Sequence, residues 1–510
     1  MTRTSRIVGS SFANYTGKPV GPRGIDSSRE DELSFFELFI DDIVVHSFIT
    51  HTNAYGRVHY GSDWGRDLDD EVFYKWLAIT FHIGICSPPN ILLLWSKSSR
   101  FYNSNVSKLL GYKKFLKINV ALHYVDVIGL SAEERTTRNR IDPFWLVTPF
   151  VDQLNRTFRQ FFQFGDKGDI DEMAIKFKGR HIARCYNPNK PNKFHFKAFC
   201  LNCSRTGYLY QFFLYQGAAE VRPANTTATE WPVQKIIGGL PELYKNNMVL
   251  ALDNWYTSIP IALYLLDKGI HMVGTCKTNR KLIAKDAILP TNGERGEMKS
   301  FIGTVTIDGN QWKKKIYMTG WRDNKPVLML HTMPTEKGLV SRAKKINKKK
   351  RQAYTRVDVW RPTIIGLYNK AMGGTDAIDQ RNSYYENLKR GQKWPGRIFK
   401  HFFQTSMTNA YILFKLHLGN RDLSNPTLLD FMVAVIHQLS GVYEDFHENN
   451  VQEIRAHTPI RVKNNDRRDC SMCNNRKCSY YCKECKKFAC IPCETDEKKP
   501  SCFERHIYGK

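Results

Sequence analysis

The chain has 510 residues, 42% hydrophobic, 13% aromatic and 25% charged, proportions that exclude a disordered, collagenous or low-complexity protein. Its 76 Lys and Arg against 49 Asp and Glu give a formal charge of +27, which points to a polyanionic partner, nucleic acid ahead of an anionic membrane; a solvated basic surface is the plainer alternative. No apolar run approaches the roughly 18 residues that span a bilayer, and the basic N terminus lacks the apolar stretch of a secretory signal, so no membrane association and an intracellular place are expected.

At roughly 150 residues per domain, the length allows three or four domains. Residues 1–30 read as a Gly-, Ser- and Arg-rich tail. Residues 31–166 repeat apolar side chains at helical spacing, as in Leu33, Phe36, Leu38, Phe39 and Ile43, then Phe73, Trp76, Leu77, Ile79 and Phe81. From residue 167 to 281 the texture becomes β-branched and aromatic, with strand-like runs at His195–Cys200, Tyr208–Tyr215 and Met248–Leu252, so a mixed α/β sheet is expected. Residues 282–360 read as an insertion that ends in the basic run Arg342–Arg351, and the pattern turns helical again from Val357, with Phe399, Phe402, Phe403, Met407 and Leu413 as an apolar face. A linker at 456–465 leads to a cysteine-rich segment, 466–510.

Three acidic stretches stand out. The apolar run Met248–Leu252 ends on Asp253, at the edge of an expected sheet, where α/β folds build sites; a helix N-cap is the alternative. Asp376 and Asp379 follow the pair Gly373-Gly374 three residues apart, on one helix face; first-turn capping is the alternative. Asp169, Asp171 and Glu172 lead into the alternation of Ile175 and Phe177, where a turn before a strand is the alternative. Together, carboxylates at the ends of different elements can hold two Mg²⁺ ions, for which Mn²⁺ can substitute, in phosphoryl transfer.

Asp171–Arg180, Tyr186-Asn-Pro-Asn-Lys-Pro, Asp253-Asn-Trp-Tyr-Thr-Ser, Tyr368–Gln380 and Lys393-Trp-Pro, in that order and spacing, resemble the piggyBac-type DDE transposases, from about Leu33 to the C terminus. The resemblance implies an RNase H-like catalytic core in two parts, 167–281 and 361–385, with Asp171, Asp253 and Asp376 as its triad and Asp379 as an additional acidic position. It also implies a split helical region for dimerisation and DNA binding, 31–166 and 386–455. The implied activity is cut-and-paste transposition by a homodimer on double-stranded DNA: nicking of transposon ends, hairpin formation and opening, and joining at TTAA. A domesticated DNA- or chromatin-binding derivative without catalysis is the rival. Two departures are visible: a long acidic N-terminal region frequent in the family is missing, and Thr375 stands where Val is usual.

Of 13 cysteines, eight fall between Cys470 and Cys502. The pairs Cys470 and Cys473, Cys482 and Cys485, Cys490 and Cys493, and Cys502 and His506 supply eight ligands, enough for two structural Zn²⁺ in a cross-brace, with Cys478 left over. The resembled family ends in such a module, used there to recognise transposon-end DNA. Cys200 and Cys203 lack a second pair nearby and read as packed thiols. The run Arg342–Arg351 fits a nuclear-localisation or phosphate-binding segment, or a solvated loop, and a nuclear place is expected. Lys389–Arg397 mixes cations with aromatics as nucleic-acid contacts require, although its aromatics could be core. No phosphate-binding glycine loop is found, so no nucleotide cofactor is expected.

Overall fold

The computed structural model describes residues 2–3, 20–26, 29–190, 192–245, 248–303, 306–307, 310–311, 315–345, 354–387, 393–419 and 426–441, with short strands at 459–461, 468–469, 477–478 and 480–482. The chain divides into two compact units, residues 1–436 and 437–510.

The first unit is built on one mixed sheet. Its main strands in chain order are β1 (Lys167–Lys176), β2 (Phe194–Cys203), β3 (Leu209–Leu214), β4 (Met248–Leu252), β5 (Ile270–Thr275), β6 (Met298–Gly303), β7 (Ile316–Arg322) and β8 (Pro326–His331). Across the sheet β3 lies beside β2, followed by β1, β4, β5, β8, β7 and β6. β1, β4 and β5 run parallel, and the remaining neighbours are antiparallel. All five residues of β4 are buried, as expected of a parallel strand covered on both faces. Strands β6, β7 and β8, inside the expected insertion, therefore continue the edge of this sheet. Two pieces of the expected N-terminal tail also pair: Gly21–Pro22 with Phe162–Gln163, and Thr2–Arg3 with Phe301–Ile302.

Seven helices matter for the site: α1 (Asp42–Tyr60), α2 (Asp70–Cys86), α3 (Thr148–Gln160), α4 (Ile259–Asp267), α5 (Thr363–Ala371), α6 (Gly374–Tyr385) and α7 (Trp394–Leu418). α1 and α2 begin where Asp41 and Asp69 accept backbone N–H bonds from Val44 and Val72. α7 starts with Pro395 in its first turn and ends at Gly419, whose φ of 56° needs no Cβ. Between Gly396 and Phe414 nearly every α7 side chain is buried, so the helix runs through the core. Its apolar side meets α1 and α3 in an edge-on aromatic cluster, with Phe48 and Phe399 centroids 4.9 Å apart and Phe150 and Phe403 5.5 Å apart. Its polar side is hydrogen-bonded: the Asn409 amide donates to Leu209 O at 2.9 Å and accepts from Leu209 N at 3.0 Å, completing bonds that β3 lacks.

One element departs from its sequence pattern. Residues 354–362, expected to open the second helical region from Val357, form a strand paired with Lys337–Lys345, and the helix starts at Thr363. Val359 is buried while Arg356, Asp358 and Trp360 are exposed, a period of two that the surrounding helical texture masks. The first four residues of the basic run, 342–345, lie on this hairpin; the rest of the run lies outside the described residues.

In the second unit, Pro459–Arg461 pairs with Tyr480–Cys482 and Arg468–Asp469 with Lys477–Cys478, both antiparallel. Of the expected zinc ligands only Cys482 falls on this backbone; Cys470, Cys473, Cys485, Cys490, Cys493, Cys502 and His506 lie outside the described residues. No helix among the described residues is long and apolar enough to cross a membrane.

Candidate active site

The three acids of the first stretch have three different environments. Asp171 lies mid-strand in β1, so the turn alternative does not hold there. Glu172, on the opposite face, is held by Lys197 at 2.7 Å, with Lys190 at 3.9 Å. Asp169 is fully buried and takes backbone N–H bonds from Gly374 at 3.0 Å and Thr375 at 2.9 Å. Asp171 has neither the lysine of Glu172 nor the helix start of Asp169: among the described residues its Oδ1 accepts the neighbouring Glu172 N–H, at 2.8 Å.

Asp253 reaches the same place from β4. In the parallel ladder Ile170 is opposite Leu252, the last residue of β4, so Asp253 leaves its strand beside Asp171. The Asp253 carboxylate accepts the Trp255 N–H at 2.7 Å, closing a turn. It does not cap the following helix, because Ser258 accepts the Ile261 N–H at the start of α4.

Asp376 arrives on α6. Gly373 adopts φ 129°, open to glycine alone, and a Cβ on Gly374 would stand 2.3 Å from Asp169 Oδ1 and 2.9 Å from Asn202 Cβ. The glycine pair thus lets the helix start press onto β1 and β2. The Thr375 hydroxyl donates to Asn202 Oδ1 at 3.0 Å, which gives the unusual threonine a buried partner. Because Asp169 already satisfies the first N–H groups of α6, Asp376 has no capping duty and stays exposed. At its other end α6 is fixed to α7, where Asn382 donates to Thr405 Oγ1 at 3.0 Å and accepts from Thr408 at 2.7 Å.

The electrostatics follow from this crowding. Burial, with Asp253, Asp169 and Asp376 adding repulsion, pushes Asp171 up to about 7. Burial pushes Asp379 to about 7 as well, against the pull of Lys190 and with repulsion from Asp376 and Asp171. Burial raises Asp253 too, opposed by the N–H groups of Trp255 and Tyr256. Asp169 reaches about 6, with burial opposed by its bonds to Thr375 and Gly374. The Tyr256 hydroxyl, in the field of Glu172, Asp171 and Asp253, is buried with no hydrogen-bond partner.

Among the described residues no three His, Cys, Asp or Glu side chains form a ready-made metal cage. The donor set is nevertheless of the type a hard cation takes: carboxylates that repel one another, with Lys190 and Lys277 offsetting part of the charge, beside an orphaned hydroxyl that a hydrated ion can satisfy. Mg²⁺ suits it, because it keeps several waters and binds through one or two carboxylates plus substrate phosphates.

Cys200 and Cys203 are buried free thiols. Residues 388–392 lie outside the described residues, while Lys393 is exposed and Trp394 sits at the start of α7. Sequence reasoning did not anticipate the roles of Asn202 and Ser258 or the latch made by Asp169; the glycine pair before Thr375 was the available signal for that latch.

The fold is a mixed α/β sheet with Asp171 in the middle of one strand, Asp253 just past the end of its parallel neighbour and Asp376 in the first turn of a docked helix. The chain belongs to the transposase family described as transposase IS4, which matches residues 31–411, and it is of the piggyBac type. It is similar to the human piggyBac transposable element-derived protein 3, 26% identical over 429 residues covering 79% of this chain and 66% of that protein. It is also similar to the human piggyBac transposable element-derived protein 2, 22% identical over 414 residues covering 81% and 66%. The chain therefore spans just under two thirds of those relatives. Its fold matches a piggyBac transposase solved by cryo-EM as a synaptic complex with hairpin DNA, with TM-score 0.69 and 20% identity over 95% of this chain and 99% of that one.

Proposed function

We propose that this protein is a cut-and-paste DNA transposase, a metal-dependent polynucleotidyl transferase whose active site is Asp171, Asp253 and Asp376, with Asp379 beside them. The observation that carries the reading is the register of Ile170 against Leu252, which makes Asp171 and Asp253 neighbours on parallel strands while Asp169 docks the helix of Asp376. The strand order β3-β2-β1-β4-β5, with β1, β4 and β5 parallel, supports an RNase H-like core.

In this reading Asp171, Asp253 and Asp376 hold two Mg²⁺. Held by these carboxylates, two Mg²⁺ would supply Lewis-acid activation of an attacking oxygen and charge stabilisation of a leaving one. The chain's own part is to bring three acids from separate elements beside one another. β1 and β4 fix two of them on rigid strands, α6 delivers the third, and Lys197 neutralises Glu172 so that it does not compete. The substrates are the transposon ends and a TTAA target in double-stranded DNA, with a flanking hairpin as intermediate. A homodimer, a nuclear place and a two-zinc cross-brace at Cys470, Cys473, Cys482, Cys485, Cys490, Cys493, Cys502 and His506 complete the proposal.

The test incubates purified protein with supercoiled plasmid and Mg²⁺ or Mn²⁺. Nicking and joining are compared with Asp171→Asn, Asp253→Asn and Asp376→Asn proteins of unchanged fold. Metal-dependent activity that falls about a thousandfold in each supports the assignment. A protein inert on authentic ends that still binds DNA is the domesticated binder instead.

A further inference from the structure

In the ladder of β1 and β2, Glu172 is opposite Phe199 and Ala174 is opposite Lys197, so Glu172, Lys197 and Phe199 share the sheet face turned away from Asp171. The Tyr215 N–H donates to Lys197 O at 2.9 Å, which brings Tyr215 alongside. The Lys197 ammonium lies 2.7 Å from Glu172 and over three rings, with centroids at 5.4 Å for Phe199, 5.4 Å for Trp255 and 5.7 Å for Tyr215. Its side chain is only 18% exposed. Trp255 belongs to the turn that follows β4. Its ring stacks on Phe199, with centroids 6.0 Å apart and planes 19° apart, and meets Tyr256 edge-on at 4.8 Å. The Asn254–Trp255 peptide is held on both sides: its N–H donates to the Asp253 carboxylate at 2.7 Å, and its oxygen accepts from the Arg280 guanidinium at 3.1 Å. Arg280 also donates to Trp255 O.

A carboxylate alone neutralises a lysine. Three rings packed round the ammonium do more: they fix where it sits and, through Trp255, where the turn of Asp253 sits. We infer that Lys197 is a positioning residue for the metal site, its ammonium pinning the Trp255 indole so that the Trp255 N–H aims the Asp253 carboxylate. This rests on the proposed function and goes beyond the neutralising of Glu172. The ion pair of Lys197 is with Glu172, outside the triad, so its effect on Asp253 passes through the turn. Arg280 secures the backbone of that turn and Lys197 its side chain, which leaves the ring contact as the part a single substitution on β2 can release. Partners that orient a metal-binding carboxylate in this way change metal affinity by about 10–100-fold without touching the ion.

Mg²⁺ is titrated against the full chain, and the concentration giving half the maximal rise in melting temperature is read beside the one giving half-maximal plasmid nicking. Lys197→Met keeps the length of the side chain and removes its charge; Trp255→Leu removes the ring. Each is expected to raise both half-points roughly tenfold. The two together are expected to go no further than either alone, because they break one line of contacts. Lys197→Met combined with Glu172→Gln removes both charges of the ion pair and is expected to keep the weakened half-points. Recovery of the wild-type values in that double variant assigns Lys197 to Glu172 alone and overturns the inference while leaving the transposase reading intact. Unchanged half-points in Lys197→Met overturn it as well, and a lower melting temperature in chelator beside them makes the lysine structural only. A wild type that neither nicks DNA nor melts higher with Mg²⁺ overturns the proposed function and this inference together.

Discussion

Asp169 and Gly374, 205 residues apart, are joined by a buried bond of 3.0 Å that docks the helix of Asp376 on the strand of Asp171. With the second bond from Thr375, one carboxylate satisfies two N–H groups at the start of α6. Such charge-assisted bonds contribute about 1.5–3 kcal/mol each. Asp169→Asn keeps the shape but turns one acceptor into a donor facing an N–H. A loss of about 3 kcal/mol in denaturant unfolding is expected, with Mg²⁺-dependent nicking falling further than folding alone explains. Gly374→Ala drives a Cβ into Asp169 Oδ1 and is expected to act alike. A variant that melts and cuts like the wild type removes the latch from the account.

Thr375 and Asn202 form the second, neutral layer of this contact. Thr375→Val keeps the shape of the side chain and leaves the buried Asn202 oxygen without its donor, at a cost of about 1–2 kcal/mol. Asn202 also donates to Gly207 O at 3.3 Å, so it stays partly anchored. A double-mutant cycle of Thr375→Val with Asn202→Ala is expected to return a coupling near 1 kcal/mol. A coupling of zero shows that the bond contributes nothing.

Asp253 and Asp376 were legible in the sequence because local texture marks them, a strand ending on an acid and an acid after a glycine pair. Asp171 was singled out by the resemblance alone; the partners that separate it from Asp169 and Glu172 were not legible, since each lies on another element: the start of α6 for Asp169 and Lys197 for Glu172. The strand at 354–362 was missed for a similar reason. Its partner, 337–345, lies across the hairpin, and the boundary signal at Pro362 is confined to one residue.

The cysteine segment offers a test by metal removal. If eight ligands hold two Zn²⁺, a fold of about 45 residues depends on them, because so short a stretch builds little core. Treatment of the full chain with a strong chelator is expected to release two zinc equivalents per chain, to expose the thiols to a colorimetric reagent, and to make residues 466–510 sensitive to protease while 31–411 stay resistant. Release of no zinc removes the cross-brace.

The raised carboxyls make stability fall with pH in a defined window. Asp171 and Asp379 stand near 7 and Asp169 near 6, whereas the unfolded chain releases those protons near 4. The folded state therefore binds more protons between about pH 4 and 7. The stabilisation is full below the unfolded value and is lost as pH rises through the folded one. In a chelator, the wild type is expected to lose on the order of 2 kcal/mol more than Asp171→Asn between about pH 5 and 7.5, the difference isolating Asp171 together with the neighbouring acids that its charge shifts. Mg²⁺ binds the ionised form, so at pH 7.5 it should raise the wild-type melting temperature progressively with its concentration. The same titration should leave Asp171→Asn nearly unmoved. Parallel pH curves for the two proteins, or equal responses to Mg²⁺, would place the strain of the site somewhere other than Asp171.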